Sequence, residues 1–129
     1  MNFIILSNNS SLGDVIDGIP VRHVAGDTQE VYDAIGHKLE NGHELVSSPL
    51  PPNVPMIRSP VRSVILRKTA RKYDARGILT LEKARERNRI LGVENVERFR
   101  QDQEFIDRDH LLRAIAQLRE LSGEAGLEA

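Results

Sequence analysis

Residues 43–66 read HELVSSPLPPNVPMIRSPVRSVIL. Five of the six prolines of the chain, Pro49, Pro51, Pro52, Pro55 and Pro60, fall inside this stretch. Each fixes φ, removes a backbone donor and biases the residue before it toward extended backbone, so the segment excludes helix. The apolar residues at its two ends, 43–47 and 61–66, read as short strands. Between them lies a long loop of defined shape. Loops of this length inside compact domains are uncommon and often functional.

Upstream, residues 2–6 form an apolar run that stops at Ser7, Asn8, Asn9 and Ser10, the pattern of a buried strand ending in a polar turn. Residues 11–17 are expected to form a short helix carrying Leu12, Val15 and Ile16, stopped by Gly18 and Pro20. A second strand is expected over 20–25. Asp27 and Glu30 have the spacing of a capping box, which predicts a helix from Thr28 to about Asn41. Its apolar face is Val31, Ile35 and Leu39, and Gly42 sits where a left-handed terminator belongs. Gly36 lowers helix propensity by about 1 kcal/mol relative to Ala, which points to close packing against that face.

Downstream, residues 69–77 are basic and irregular. Thr80 is read as the cap of a helix running to Leu91 and ended by Gly92, with helix continuing over 93–103. Asp107 is read as the cap of a last helix, with Ile106 and Leu111 as its hydrophobic staple. Leu111, Leu112, Ile115, Leu118 and Leu121 give that helix an apolar face ending near Gly123, and residues 124–129 are expected to fray. Strands alternating with helices predict a parallel sheet. The expected fold is therefore a small three-layer α/β domain over residues 1–123, with a mostly parallel sheet of about four strands and a helical C-terminal third. Ile5, Val31, Ile35, Leu39, Val46 and Ile65 are expected to be buried together.

Composition narrows the function classes. The 129 residues suit one domain with a core of its own. With no Cys, disulfides, thiolate catalysis and Cys-ligated metals are excluded. No Trp, two Tyr and three Phe make stacking platforms for bases scarce. Neither a leader nor a membrane-spanning apolar run is visible, so a soluble cytoplasmic protein is expected. The four histidines, His23, His37, His43 and His110, have no metal-ligand spacing, and no P-loop, dinucleotide fingerprint or nucleophile elbow occurs. No cofactor and no metal are expected, and no catalytic motif supports an enzyme.

Two candidate surfaces remain. Ligands of α/β sheets favour the crevice beyond the strand carboxyl ends. Asn8, Asn9, Asp27, Thr28, Ser47, Ser48 and Asn53 are expected there; the alternative is that they cap helices and fill turns, as such residues do anywhere. Charge marks the second surface. Residues 1–57 carry two basic and seven acidic side chains, whereas residues 58–76 carry seven basic ones and only Asp74. Arg58, Arg62, Arg67, Lys68, Arg71 and Lys72 are therefore candidates for docking an acidic protein surface or a phosphorylated small molecule, with nucleic acid ranked behind. A solvated loop balancing an acidic N-terminal half is the plainer account. No membrane partner is expected, and the sequence carries no mark of oligomeric state.

A family pattern runs through the same stretch. Gly42-His43-Glu44-Leu45-Val46, Pro49-Leu50, Val54, Pro60 and Arg62-Ser63-Val64, with the opening Ile4-Ile5-Leu6-Ser7-Asn8-Asn9, resemble the GrdX-like proteins encoded beside glycine, sarcosine and betaine reductase systems. The resemblance covers roughly the first 68 residues. Ser48 stands where the family pattern has a His before the Pro-Leu pair, and Pro55-Met56-Ile57 replaces a Lys-Pro-Asn. The resemblance implies an accessory or binding role rather than a reaction. A small enzyme acting on a polar metabolite at the strand ends, and a nucleic-acid-associated regulator using residues 58–76, are the competing readings.

Overall fold

The computed structural model describes residues 2–52, 56–70 and 73–122. Its strands are β1 (Phe3–Ser7), β2 (Val15–Ile16), β3 (Ile19–His23), β4 (His43–Leu45) and β5 (Ser63–Lys68). Its α-helices are α1 (Thr28–Glu40), α2 (Ala75–Leu91) and α3 (Arg100–Ser122). The five strands form one sheet in the order β2-β3-β1-β5-β4. β1 runs parallel to β3 and antiparallel to β5, and β4 and β2 are antiparallel to β5 and β3.

The sheet is thus mixed, not mostly parallel, and has five strands. The reason lies in the proline stretch: parallel neighbours need a crossover, usually a helix. Prolines at this density exclude that helix, so the chain returns through the loop and lays β5 antiparallel beside β4. Residues 11–17 form no helix. Asp17 and Gly18 adopt positive φ, 49° and 80°, and turn β2 back onto β3. An Asp-Gly pair favours this two-residue hairpin turn, which outweighs the helical spacing of Leu12, Val15 and Ile16.

β1 is the central strand and all five of its residues are buried. Successive side chains point to opposite faces, so the expected single core is two cores. Ile4 and Leu6 join Val64 and Leu66 of β5 against Val31, Tyr32, Ile35 and Leu39 of α1 and Leu81 and Ala84 of α2. Phe3 and Ile5 join Ile65 and Val21 against Leu111 and Ile115 of α3, with Val46 packed at the edge. Ile5, Ile65 and Val46 therefore lie on the face opposite Val31, Ile35 and Leu39.

α1 follows its sequence signals closely. Asp27 caps it by accepting from the Gln29 amide, without the reciprocal Glu30 bond of the expected capping box, and Gly42 has φ 81° just beyond its end. A Cβ on Gly36 would stand 3.0 Å from Arg85 Nη2 and 3.7 Å from Leu81 Cδ2, so the bare backbone is what lets α2 approach. Arg85 ties the two helices by donating to Asp33 Oδ1 at 2.7 Å and to the Tyr32 carbonyl at 3.1 Å.

α2 begins five residues before Thr80. Asp74 is its cap: Oδ1 accepts from Gly77 N at 3.0 Å, and Oδ2 accepts from Leu45 N at 2.9 Å, which also satisfies the outer edge of β4. Thr80 instead donates to the Arg76 carbonyl within the helix. Residues 93–96 are not helical; a 3-10 turn at Glu97–Phe99 leads into α3. Asp107 lies inside α3 and is not its cap, because its carboxylate is engaged by β5 and the turn after β1. Gly123 and residues 124–129 lie outside the described residues.

Candidate functional site

A cleft of ≈ 580 Å³ opens between residues 46–52, Met56 and Val61, the β5 side of the sheet and α3. Its loop wall comprises Val46, Ser47, Ser48, Pro49, Leu50, Pro51, Pro52, Met56 and Val61. α3 contributes Asp107, His110, Leu111, Ala114, Gln117 and Leu118 at helical spacing, and Arg62, Ser63 and Ile65 form the floor. Most of this lining is apolar. Its polar members include Ser47, Ser48, Arg62, Ser63, Asp107, His110, Arg113 and Gln117.

The loop enters this wall through a bulge. Val46 N and Ser47 N both donate to the Ile65 carbonyl, at 3.0 and 3.2 Å, while Ile65 N donates to Ser47 Oγ at 2.8 Å. Two residues thus oppose one, which bends β4 away from the sheet and turns Val46 and Ser47 toward the cleft. Ser48 Oγ then accepts from Leu50 N at 3.1 Å.

Buried side chains hold the loop in shape. The Tyr32 hydroxyl donates to the Pro49 carbonyl at 2.9 Å, and the Thr28 hydroxyl to the Ser59 carbonyl at 3.0 Å. Asn8 Nδ2 donates to the carbonyls of Gly26 and Pro60, and its Oδ1 accepts from Arg62 N at 2.8 Å. Arg62 is only 4% exposed. Its Nη1 donates to the Met56 and Val61 carbonyls at 3.1 and 2.9 Å, and Nη2 to the Ile57 carbonyl at 2.5 Å. Glu94 N bonds the Arg58 carbonyl at 2.7 Å, so the α2–α3 connection braces the loop from outside.

Beneath the cleft, a directed chain of hydrogen bonds ends on Asp107. Ser63 Oγ donates to Asp107 Oδ2 at 2.5 Å, and Asn9 Nδ2 donates to the same oxygen at 3.0 Å. Since Ser63 spends its only hydroxyl proton there, Ser7 Oγ donates to Ser63 Oγ at 2.7 Å and accepts from Asn9 N at 2.9 Å. Burial pushes the Asp107 carboxyl above its ordinary value, against the opposing effects of the Ser63 and Asn9 hydrogen bonds and the charges of Arg62 and His110.

That direction has a stability consequence. A carboxyl whose pKa is raised on folding binds its proton more tightly in the native state, so its contribution is present at low pH and lost as pH climbs through the folded value. In Asp107→Asn, the amide oxygen accepts the same two bonds and this loss disappears. Urea unfolding of both proteins between about pH 3 and pH 8 should show the wild type losing stability relative to the variant as pH rises. Parallel curves would remove Asp107 from this account.

Of the seven strand-end candidates, Ser47 and Ser48 line the cleft. Asn8 and Thr28 are buried braces of the loop, and Asp27 caps α1. Asn9, fully buried, reaches the site through Asp107. Asn53 lies outside the described residues. The described basic candidates differ in their surroundings. Arg62 is buried under the loop, Arg58 pairs with Glu94 at 3.1 Å, and Arg67 pairs with Glu44. Lys68 is exposed at the end of β5, and Arg71 and Lys72 lie outside the described residues.

Sequence reasoning missed Ser63, Asp107 and His110 as site residues. A signal for Asp107 exists: it precedes Leu111 and Ile115 by four and eight positions, so it stands on the apolar stripe of α3. An acid there is buried, and buried acids call for a partner. Among the described residues, no group of three or more His, Cys, Asp or Glu could hold a metal ion, and no helix is long and apolar enough to cross a membrane.

The family model described as GrdX-like protein matches residues 4–116. The chain belongs to this family. The match extends past the first 68 residues into α3, so it takes in Asp107 and His110 as well as Arg62 and Ser63. No curated protein and no solved structure matches the chain.

Proposed function

We propose that this member of the GrdX-like family is a small cytoplasmic accessory protein that binds a small, largely apolar ligand in the cleft between the proline loop and α3. The observation that carries this reading is the anchoring of the loop by four buried side chains, Asn8, Thr28, Tyr32 and Arg62. A fold with no use for the cleft has no reason to hold the seven-residue run of lining from Val46 to Pro52, with Met56 and Val61, so firmly open. Preorganised walls leave less ordering to be done when a ligand arrives. The cleft volume lies within the range of small-molecule sites, and apolar walls with a few convergent polar groups are their usual lining. An accessory role beside glycine, sarcosine or betaine reductase systems belongs to the same proposal, with the cleft as the place where a ligand is held.

Gln117 is exposed at the cleft, so Gln117→Trp should cover it without disturbing either core. Hexan-1-ol, hexanoate and hexylammonium serve as probes that share one apolar stem. At saturating concentrations at least one should raise the melting temperature of the wild type, by an amount equivalent to about 2–3 kcal/mol at a hundredfold excess over Kd. The shift should vanish in Gln117→Trp. No shift with any probe, or an undiminished shift in the variant, would reject the cleft as a binding site.

A further inference from the structure

We infer that the ligand held in this cleft is an alkylammonium ion, a small molecule whose apolar stem lies along the loop wall and whose N–H groups donate to the Asp107 carboxylate. The inference rests on the cleft being the binding site. Asp107 is 8% exposed and lines the cleft. Its bonds come from the Ser63 hydroxyl and the Asn9 amide, two neutral donors, and both fall on Oδ2. Oδ1 receives no bond from the described residues. No cationic side chain among them forms an ion pair with it within 4.0 Å.

Buried carboxylates are ordinarily paired, because an uncompensated charge is costly to take out of water. Arg62 is not that partner: its guanidinium donates to the carbonyls of Met56, Ile57 and Val61. Arg113, also at the cleft, is held by Asp109 at 3.0 Å. His110 is the remaining titratable group of the lining. The fold itself needs only an acceptor at Oδ2, which an amide would supply equally well. The hydrogen bonds of the fold therefore do not require the negative charge, which lies in the field of Arg62 and His110 but in no ion pair with either, and it stands beside apolar walls formed by Leu50, Met56, Val61, Leu111 and Leu118. A primary ammonium supplies a directly bonded countercharge and a donor for Oδ1, and its stem covers the walls.

Titration calorimetry of the full chain at about pH 8, where carboxylates are ionised and alkylamines still protonated, compares hexylammonium, hexan-1-ol and hexanoate. Hexylammonium should bind at least about tenfold more tightly than hexan-1-ol, as a charge-assisted hydrogen bond implies, and hexanoate most weakly. In Asp107→Asn, with folding verified by its melting curve, the advantage of the amine should vanish while hexan-1-ol affinity is retained. Equal binding of hexylammonium and hexan-1-ol to the wild type would overturn the inference and leave the cleft standing. Tightest binding of hexanoate would overturn it as well. Binding of none of the three would remove the cleft reading and the inference together.

Discussion

Ile35→Ala should lower the unfolding free energy by about 2–5 kcal/mol, the range for deleting a large buried aliphatic side chain. Ile35 is wholly buried in the middle of α1, in the core that α1 and α2 share with Ile4, Leu6, Val64 and Leu66. Truncation removes apolar contact with the sheet and leaves a cavity that helices on a sheet can close only in part. The expected result is a lower urea midpoint with an unchanged slope, since the surface exposed on unfolding hardly changes. A loss below about 0.5 kcal/mol, the size of a surface effect, would reject this core.

The second large effect is expected at Arg62. Arg62→Met keeps an apolar stem of similar length and deletes the donors to Met56, Ile57 and Val61; the Met56 carbonyl keeps its bond from Ser59 N, and the other two must be satisfied elsewhere. Bonds from a charged donor are worth roughly 1.5–3 kcal/mol each in net terms, but losses within one network do not add, and a cost of about 2–4 kcal/mol is expected overall. The damage should be local. Hydrogen exchange should speed at Val61 N and Arg62 N, whose acceptors Ser59 and Asn8 anchor the same loop, while amides in the middle of α1 keep protection in proportion to global stability. Native exchange at both loop amides, with stability unchanged, would show that Arg62 does not hold the loop.

These two residues also mark where sequence reading succeeds and where it stops. Ile35 could be assigned to a core because Val31, Ile35 and Leu39 recur at helical spacing between an Asp cap and a Gly terminator, and every one of those signals is local. Arg62 was legible as one member of a basic run and of the family pattern, neither of which says that it is buried. Its role depends on the loop folding back over it, so that a side chain counted as surface charge became a buried brace. Asp107 tells the same story in reverse. Its position next to Ile106 suggested a helix cap, yet the bonds it makes are to Asn9 and Ser63, 98 and 44 positions away.

Local chemistry dictates one set of elements. The buried strand at the start, α1 with both its ends, the terminator Gly92 and the family pattern are all readable from neighbours within a few positions. The tertiary structure decided strand direction, the division of one expected core into two, and the joining of the loop to α3 around a cleft. A strand's apolar pattern is the same whether its neighbour runs with it or against it, and alternation says that two faces exist without saying what covers each. Pairings such as Ser7 with Ser63, 56 positions apart, leave no local trace because Ser, Asn and Asp are equally at home in turns. Only closure of the chain showed which of these polar groups are structural and which stand at the cleft.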